Sequence, residues 1–213
     1  MPARKKDLPI NLVPSRKRKS LCYSNKNVKD QKIHFHAFDT ETDGLGGRLL
    51  CASYCFASKR AGVIVGEPTE IIAELFNEFF KAPYKKSKEG VNIWYAHNLE
   101  YDARSIFDVI IDFAAHESHD YEIELFNRTE RTIYQIIITA VKGKFTGQQI
   151  CLRDSFAIFP QSLEKFSKQF APEQAKLCGT IDFKNGERFD VNNKKHLKYA
   201  LQDAIALVYS LEE

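Results

Sequence analysis

The sequence predicts an α/β protein, a mixed sheet with helices packed on it. Three observations carry this expectation. Short β-rich runs come first, and extended and helical patterns then alternate. The longest apolar runs, "FDVIIDFAA" and "TIYQIIITAV", are too short or too broken to cross a bilayer. The 213 residues, 44% apolar and 28% charged, suit one folded domain with a sizeable core.

Element by element, "KIHFHAF" (32–38), "RLLCASYCFA" (48–57) and "AGVIVG" (61–66) read as strands. The turn signal "DGLGG" separates the first two, so the three are expected to pair as an antiparallel meander. "TEIIAELFNEFFKA" (69–82) has helical spacing, with Thr69 as its cap and Pro83 as its stop. "VNIWYAH" (91–97) reads as a buried strand, and 99–115 as a second helix that Asn98 is placed to cap. Strands are expected at 121–126, 132–141 and 148–154, with "KGKFTG" turning between the last two. A helix at 161–170, a short extended piece at 180–183 and an amphipathic helix at 193–211 complete the chain. In the last helix Leu197, Leu201, Ala204, Val208 and Leu211 form the apolar stripe.

The net charge of +3 hides an asymmetry. Residues 1–32 carry ten Lys or Arg and two acids, while 33–213 carry 21 basic and 26 acidic residues. The first stretch therefore reads as a basic, flexible arm and the second as the folded domain. A nucleic-acid contact, an import signal and a solubilising tail all fit the arm. The five cysteines are scattered without a CxxC pair, as expected of buried reduced thiols. No secretory signal pattern appears, so an intracellular protein is expected.

Three acidic motifs carry the chemistry. In "FDTET", Asp39 and Glu41 stand at i and i+2 of a strand and share a face, with Thr40 opposite. Two adjacent carboxylates repel unless a cation lies between them, and oxygen ligands favour a hard divalent ion. A solvated strand end is the plainer use of the same residues. In "NLEYDARSIF", a helical wheel puts Leu99, Ile106, Val109, Ile110 and Phe113 within roughly 80° of Asp102, with Asp108 and Asp112 on the polar flank opposite Ile110. A carboxylate in an apolar stripe needs a metal, an Arg or a helix terminus as partner. In "HLKYALQDAIAL", Tyr199 and Asp203 are spaced i, i+4 on one flank of the last helix. A phenol beside a carboxylate can orient a water, or the two can form a surface pair. Four carboxylates from three elements can hold two divalent ions roughly 3.5–4 Å apart and clamp a phosphodiester for attack by water.

This set resembles the DEDD superfamily of 3′→5′ exonucleases, of ribonuclease H-like (DnaQ-like) fold. "DTET", "NLEYD" and Tyr199-x-x-x-Asp203 are similar to its three motifs. Lys198 stands where the histidine branch has His, so the resemblance is to the tyrosine branch. "HNLEYD", "RDSFAIFPQSLEKFSKQF" and "GTIDF" further resemble the proofreading domain of protein-primed family B DNA polymerases of phages, adenoviruses and linear organellar plasmids. The resemblance spans about residues 33–211.

It implies a 3′→5′ exonuclease releasing 5′-mononucleotides from single-stranded DNA ends with two Mg²⁺ or Mn²⁺ ions. Asp39, Glu41, Asp102 and Asp203 are the implied metal ligands, and Tyr199 the residue that orients the water. Thr40, Asn98, Tyr101, Ser155 and Phe156 are implied to hold the 3′ end. The implied partners are that 3′ end and a polymerase module or terminal (priming) protein, with no membrane. Nucleus, mitochondrion and viral replication site all fit. Two departures stand out. The Lys that relatives place before the Gly of "GTIDF" is Cys178 here, with Lys176 two residues earlier as its candidate substitute on the substrate. No "DTDS"-like palm motif occurs, so polymerisation is not expected of these residues. The acids do not identify the sugar, which leaves an exoribonuclease as one alternative. A non-catalytic DNA- or protein-binding remnant is the other.

Overall fold

A computed structural model describes residues 10–13, 32–44, 47–85, 90–116, 121–129, 132–181 and 185–213. In chain order the elements are β1 (Ile10–Val13), β2 (Ile33–Thr42), β3 (Leu49–Cys55), β4 (Ala61–Val65), α1 (Pro68–Phe79), β5 (Val91–Ala96) and α2 (Leu99–His116). They continue with β6 (Tyr121–Thr129), β7 (Thr132–Ala140), β8 (Gln149–Asp154), α3 (Leu163–Phe170), a 3₁₀ turn (Pro172–Gln174) and α4 (Lys194–Glu212). The strands form one eight-stranded sheet in the order β1-β6-β7-β8-β5-β2-β3-β4.

At its centre β8, β5 and β2 run parallel, flanked by the antiparallel β2-β3-β4 meander on one side and β8-β7-β6 on the other. The carboxyl ends of all three central strands therefore lie along one edge, the crevice where open α/β sheets place their ligands. β5 reads as a nearly continuous apolar run because both its faces are covered. Within the basic arm, Ile10–Val13 pairs in parallel with β6, from Ile10↔Tyr121 to Val13↔Glu124. The arm's run "SRKRKS" lies outside the described residues.

Alternation along the strands splits the core into two layers. Phe38, Trp94, Ile136 and Leu152 face Ile71, Leu75, Phe76 and Phe79 of α1 and Leu99, Ala103 and Ile106 of α2. Ala37, Ile93, Tyr95 and Cys151 face Leu163 and Phe166 of α3 and Ala204, Leu207 and Val208 of α4. Asp39 and Glu41 are in phase with Ala37 and belong to the α3/α4 face. Thr40 is in phase with Phe38 and belongs to the other.

Several boundaries differ from the sequence reading for identifiable reasons. β2 continues through the acids to Thr42, because Asp39, Thr40 and Glu41 still pair with Ser53, Ala52 and Cys51. α1 starts at Pro68, not after Thr69: proline has no N–H to leave unpaired and its φ suits the first helical position. The Glu67 N–H donates to Glu70 Oε2 at 3.1 Å and closes that end. α1 stops at Phe79, since Pro83 disfavours helical backbone in the residue before it. α3 begins at Leu163, inside the expected 161–170, because Ser162 caps it: its Oγ accepts the Lys165 N–H at 3.3 Å. Ser162→Ala is expected to cost about 1 kcal/mol in denaturant unfolding.

The α4 stripe is also displaced. Ala200, Ala204, Ala206, Leu207 and Val208 are buried, whereas Leu197, Leu201 and Leu211 are only half-buried. α4 packs on β2 and β3 with α3 along its flank, which widens the covered arc. Small residues let its backbone close on the sheet, where Ser53 Oγ donates to the Ala200 carbonyl at 2.8 Å. That arc takes in Asp203, which is 4% exposed. Of the cysteines, Cys51, Cys55 and Cys151 are buried and free as expected, Cys178 is free but exposed, and Cys22 lies outside the described residues. Of the expected extended piece 180–183, Thr180 and Ile181 join no strand, and the other two lie outside the described residues.

Candidate active site

The acids of β2 and α4 meet. One carboxylate oxygen from each of Asp39, Glu41 and Asp203 lies within 4.8 Å of the other two. β2 aims the first pair onto the α4 face, and the Ala200–Ala204 contact brings Asp203 down against them. Asp203 Oδ2 pairs with Lys176 Nζ, while its Oδ1 is buried without a hydrogen-bond partner. The Lys176 ammonium also lies 4.7 Å from the centre of the Tyr199 ring. Tyr199, one helical turn before Asp203, is within interaction reach of both groups.

Asp102 stands apart from the three. It is 1% exposed at the start of α2, and its Oδ1 accepts both the Thr40 N–H and the Thr40 hydroxyl at 2.8 Å. Its Oδ2 is buried without a partner, and its charge still bears on Asp39 and Glu41. The expected meeting of four acids is therefore a close triad with a fourth carboxylate anchored behind it through Thr40. Thr40→Val keeps the backbone bond and removes the hydroxyl one. It is expected to lower unfolding stability by about 1 kcal/mol, and an unchanged denaturant midpoint would contradict the bond's role.

The electrostatics mark a cup that resists being fully ionised. Burial, then Glu41 and Asp203, pushes Asp39 well above the ordinary carboxylate range. Burial and Asp203 push Glu41 up to about 7, against the opposing pull of Lys176. Asp102 is raised by burial and by Asp39, and Asp203 by burial despite Lys176. Burial and Asp203 push the Tyr199 phenol up to about 12, so it stays neutral at physiological pH. Burial alone would depress Lys176, but Asp203, Tyr199 and Asp39 outweigh it and hold the ammonium charged. Crowded carboxylates with two orphaned, buried oxygens are a donor set suited to a hard divalent cation. The single ammonium pairs with only one of them.

The other expected contacts divide into exposed and buried. Asn98 is exposed, with φ +76°. Phe156 is 42% exposed and packs edge-on to His97 at 5.6 Å between centroids. Tyr101 is half-buried, its hydroxyl 2.5 Å from Thr42 Oγ1. Thr40 and Ser155 are buried, at 2% and 0% exposure, and their hydroxyls are taken by neighbours. Ser155 Oγ lies 2.9 Å from His97 Nδ1 and 3.1 Å from the Ala96 carbonyl. His97 Nε2 donates to the Gln161 carbonyl at 2.8 Å, which fixes the tautomer; burial lowers the ring's pKa. Cys178 is exposed near Lys176, and the two are joined only through the Lys176 carbonyl, 3.6 Å from Sγ. Asn98 does not cap α2 with its side chain. The Asn98 and Leu99 N–H groups go to Asp154 Oδ1. No motif singles out Asp154. Its one sequence signal is an acid ending an apolar strand, as in β2.

A parallel-centred sheet flanked by helices, with acids gathered at the strand edge, defines an α/β protein of ribonuclease H-like fold. The chain belongs to the organellar and viral family of type B DNA polymerases, whose family model matches residues 84–207. That match takes in Asp102, Tyr199 and Asp203 and begins after Asp39 and Glu41. Phi29 DNA polymerase complexed with single-stranded DNA is similar in structure, with a TM-score of 0.59 and 15% identity. That likeness covers 85% of this chain and 31% of the polymerase. The Phi29 ternary complex with primer-template DNA and incoming nucleotide gives a TM-score of 0.57 and 16% identity, over 85% and 30% of the two chains. The protein thus spans about a third of the length of these polymerases. No curated protein matches the sequence. Among the described residues, no helix is long and apolar enough to cross a membrane.

Proposed function

We propose that this protein is a metal-dependent 3′→5′ exonuclease acting on single-stranded DNA ends, the proofreading domain of a protein-primed polymerase or derived from one. The observation that carries the reading is the convergence of Asp39, Glu41 and Asp203 within 4.8 Å of one another, beside orphaned carboxylate oxygens. Asp39, Glu41 and Asp203 would hold one Mg²⁺ or Mn²⁺, with Asp39 shared and Asp102 serving a second. Bound there, such ions supply a water of lowered pKa and stabilise the charge that develops on the leaving oxygen.

The chain's own residues do the rest. Tyr199 stays neutral, so its hydroxyl can fix the orientation of the attacking water without carrying charge. Lys176 holds a permanent positive charge beside Asp203, in the position to meet a phosphate oxygen. Asn98, Tyr101 and Phe156 line the approach, and the exposed Phe156 ring offers a surface on which a base can stack. Thr40 serves by anchoring Asp102, and Ser155 by anchoring His97. The water oxygen adds to the phosphorus and the bond to the preceding 3′ oxygen breaks. A 5′-mononucleotide leaves, and the shortened strand keeps a free 3′ hydroxyl.

The test is incubation of 3′-labelled single-stranded DNA and its RNA counterpart with Mg²⁺ or Mn²⁺. Stepwise release of labelled 5′-mononucleotides from DNA is the expected result. Faster release from RNA would make the protein an exoribonuclease. Release from neither, at any metal concentration, would make it a non-catalytic remnant.

A further inference from the structure

We propose that Asp154 is a positioning residue for the substrate's 3′ end, setting the spacing of the two loops that leave β5 and β8. This rests on the nuclease reading above. Asp154 is the last residue of β8 and is 5% exposed, so it is shielded from the substrate itself. Its Oδ1 accepts three backbone N–H groups, from Asn98 at 3.0 Å, Leu99 at 3.3 Å and Phe156 at 3.0 Å. Asn98 lies on the turn after β5, Leu99 at the start of α2, and Phe156 on the turn after β8. One carboxylate oxygen therefore ties together two walls that, beyond Ala96↔Asp154, are also bridged by the His97 ring through Ser155 and Gln161.

The ends so tied are the ones exposed at the edge of the cup. Asn98 is in left-handed backbone at φ +76°, which Asn tolerates better than other non-glycine residues, and its N–H is held there by Asp154. Phe156 presents its ring on the other wall. Leu99, which the tie holds, lies one helical turn before Asp102, and Asp102 Oδ1 accepts the N–H of Thr40 between Asp39 and Glu41, which places the tie beside the triad. Bonds to a carboxylate are about twice as strong as neutral ones, so the negative charge holds three amides where a neutral side chain would hold them weakly. Asp39, Glu41 and Asp203 share no hydrogen bond with Asp154, while Asp102 sits three residues beyond Leu99 on α2. Loss of Asp154 should therefore appear in how the strand is held and leave the ion of the triad in place.

The experiment measures mononucleotide release from a 3′-labelled oligodeoxynucleotide at saturating Mn²⁺, for wild type, Asp154→Ala and Asp154→Asn, beside Mn²⁺ titrations of each. Asp154→Ala is expected to raise KM about tenfold or more, with kcat within about threefold and Mn²⁺ stoichiometry unchanged. Asp154→Asn keeps an acceptor oxygen without the charge and is expected to raise KM by an intermediate factor, about threefold to fivefold, at unchanged kcat. An unchanged KM in Asp154→Ala, or a loss of Mn²⁺ sites in step with KM, overturns the proposal. Should Asp154→Ala fail to fold, Asp154→Asn decides alone: a raised KM at constant kcat supports the role, and a wild-type KM overturns it. If wild type itself hydrolyses nothing, the nuclease reading falls separately. Fluorescence anisotropy of the same oligonucleotide then decides: weaker binding by the Asp154 variants supports the role, and equal or absent binding by all three overturns it.

Discussion

The double variant Asp39→Ala, Glu41→Ala is expected to release mononucleotides from 3′-labelled single-stranded DNA at least about a thousandfold more slowly than wild type. Divalent ions in such sites contribute several kcal/mol of transition-state stabilisation, and each 1.36 kcal/mol is about tenfold in rate. The two carboxylates project from one face of β2 and supply two of the three oxygens that lie within 4.8 Å of each other. Without them Asp203 is left beside Lys176 and Tyr199 and cannot by itself hold an ion. The fold should survive, because Thr40 still bonds Asp102 through its backbone N–H and β2 remains paired on both sides. Far-ultraviolet circular dichroism of the variant checks that. Activity within tenfold of wild type in a folded double variant would remove the triad from the chemistry.

The second large effect is on stability. In EDTA the protein is expected to lose stability as pH rises from about 4.5 to about 7, and to recover it on addition of Mn²⁺ at high pH. The sign follows from Glu41, whose folded pKa is raised from 4.5 to about 7 by burial and Asp203. The unfolded chain releases this proton first, so between those values the folded state binds more protons and raising the pH favours unfolding. The loss from Glu41 is complete above about pH 7 and amounts to at most about 3 kcal/mol. Asp39 and Asp102, also raised, extend the loss in the same direction. Glu78, lowered by its Arg60 and Lys81 partners against burial, and the His36 and His97 rings, lowered by burial, work the other way and are corrected for by comparison with Glu41→Gln. Thermal melts at pH 5 and pH 8, with and without Mn²⁺, make the measurement. A wild-type protein as stable in EDTA at pH 8 as Glu41→Gln would contradict the frustrated cup.

From β2 to α4 the order of strands and helices was legible in the sequence because the apolar periodicity is strong and glycines and prolines punctuate it, whereas β1 lies in the stretch read as a flexible arm. The Asp39/Glu41 pair was legible because a period of two forces both onto one face, and Asp203 because its helix is amphipathic. Three features were not legible. Thr40 reads as the opposite side of a strand, yet that side is where α2 delivers Asp102, a meeting set by helix packing 62 residues away. The buried arc of α4 follows from α3 lying alongside it, which no single helical wheel contains. Asp154 acts through three backbone donors brought together by parallel pairing of β5 and β8, and backbone donors leave no trace in residue identity.

The central claim is that Asp39, Glu41 and Asp203 form a cup whose charge a divalent cation neutralises. Titration of the protein with Mn²⁺ at pH 7.5, followed by the electron paramagnetic resonance of the free ion, tests it most directly. The account predicts saturable, stoichiometric binding by wild type, lost in Asp39→Ala, Glu41→Ala. No saturable binding by wild type, or equal binding by the double variant, would contradict it.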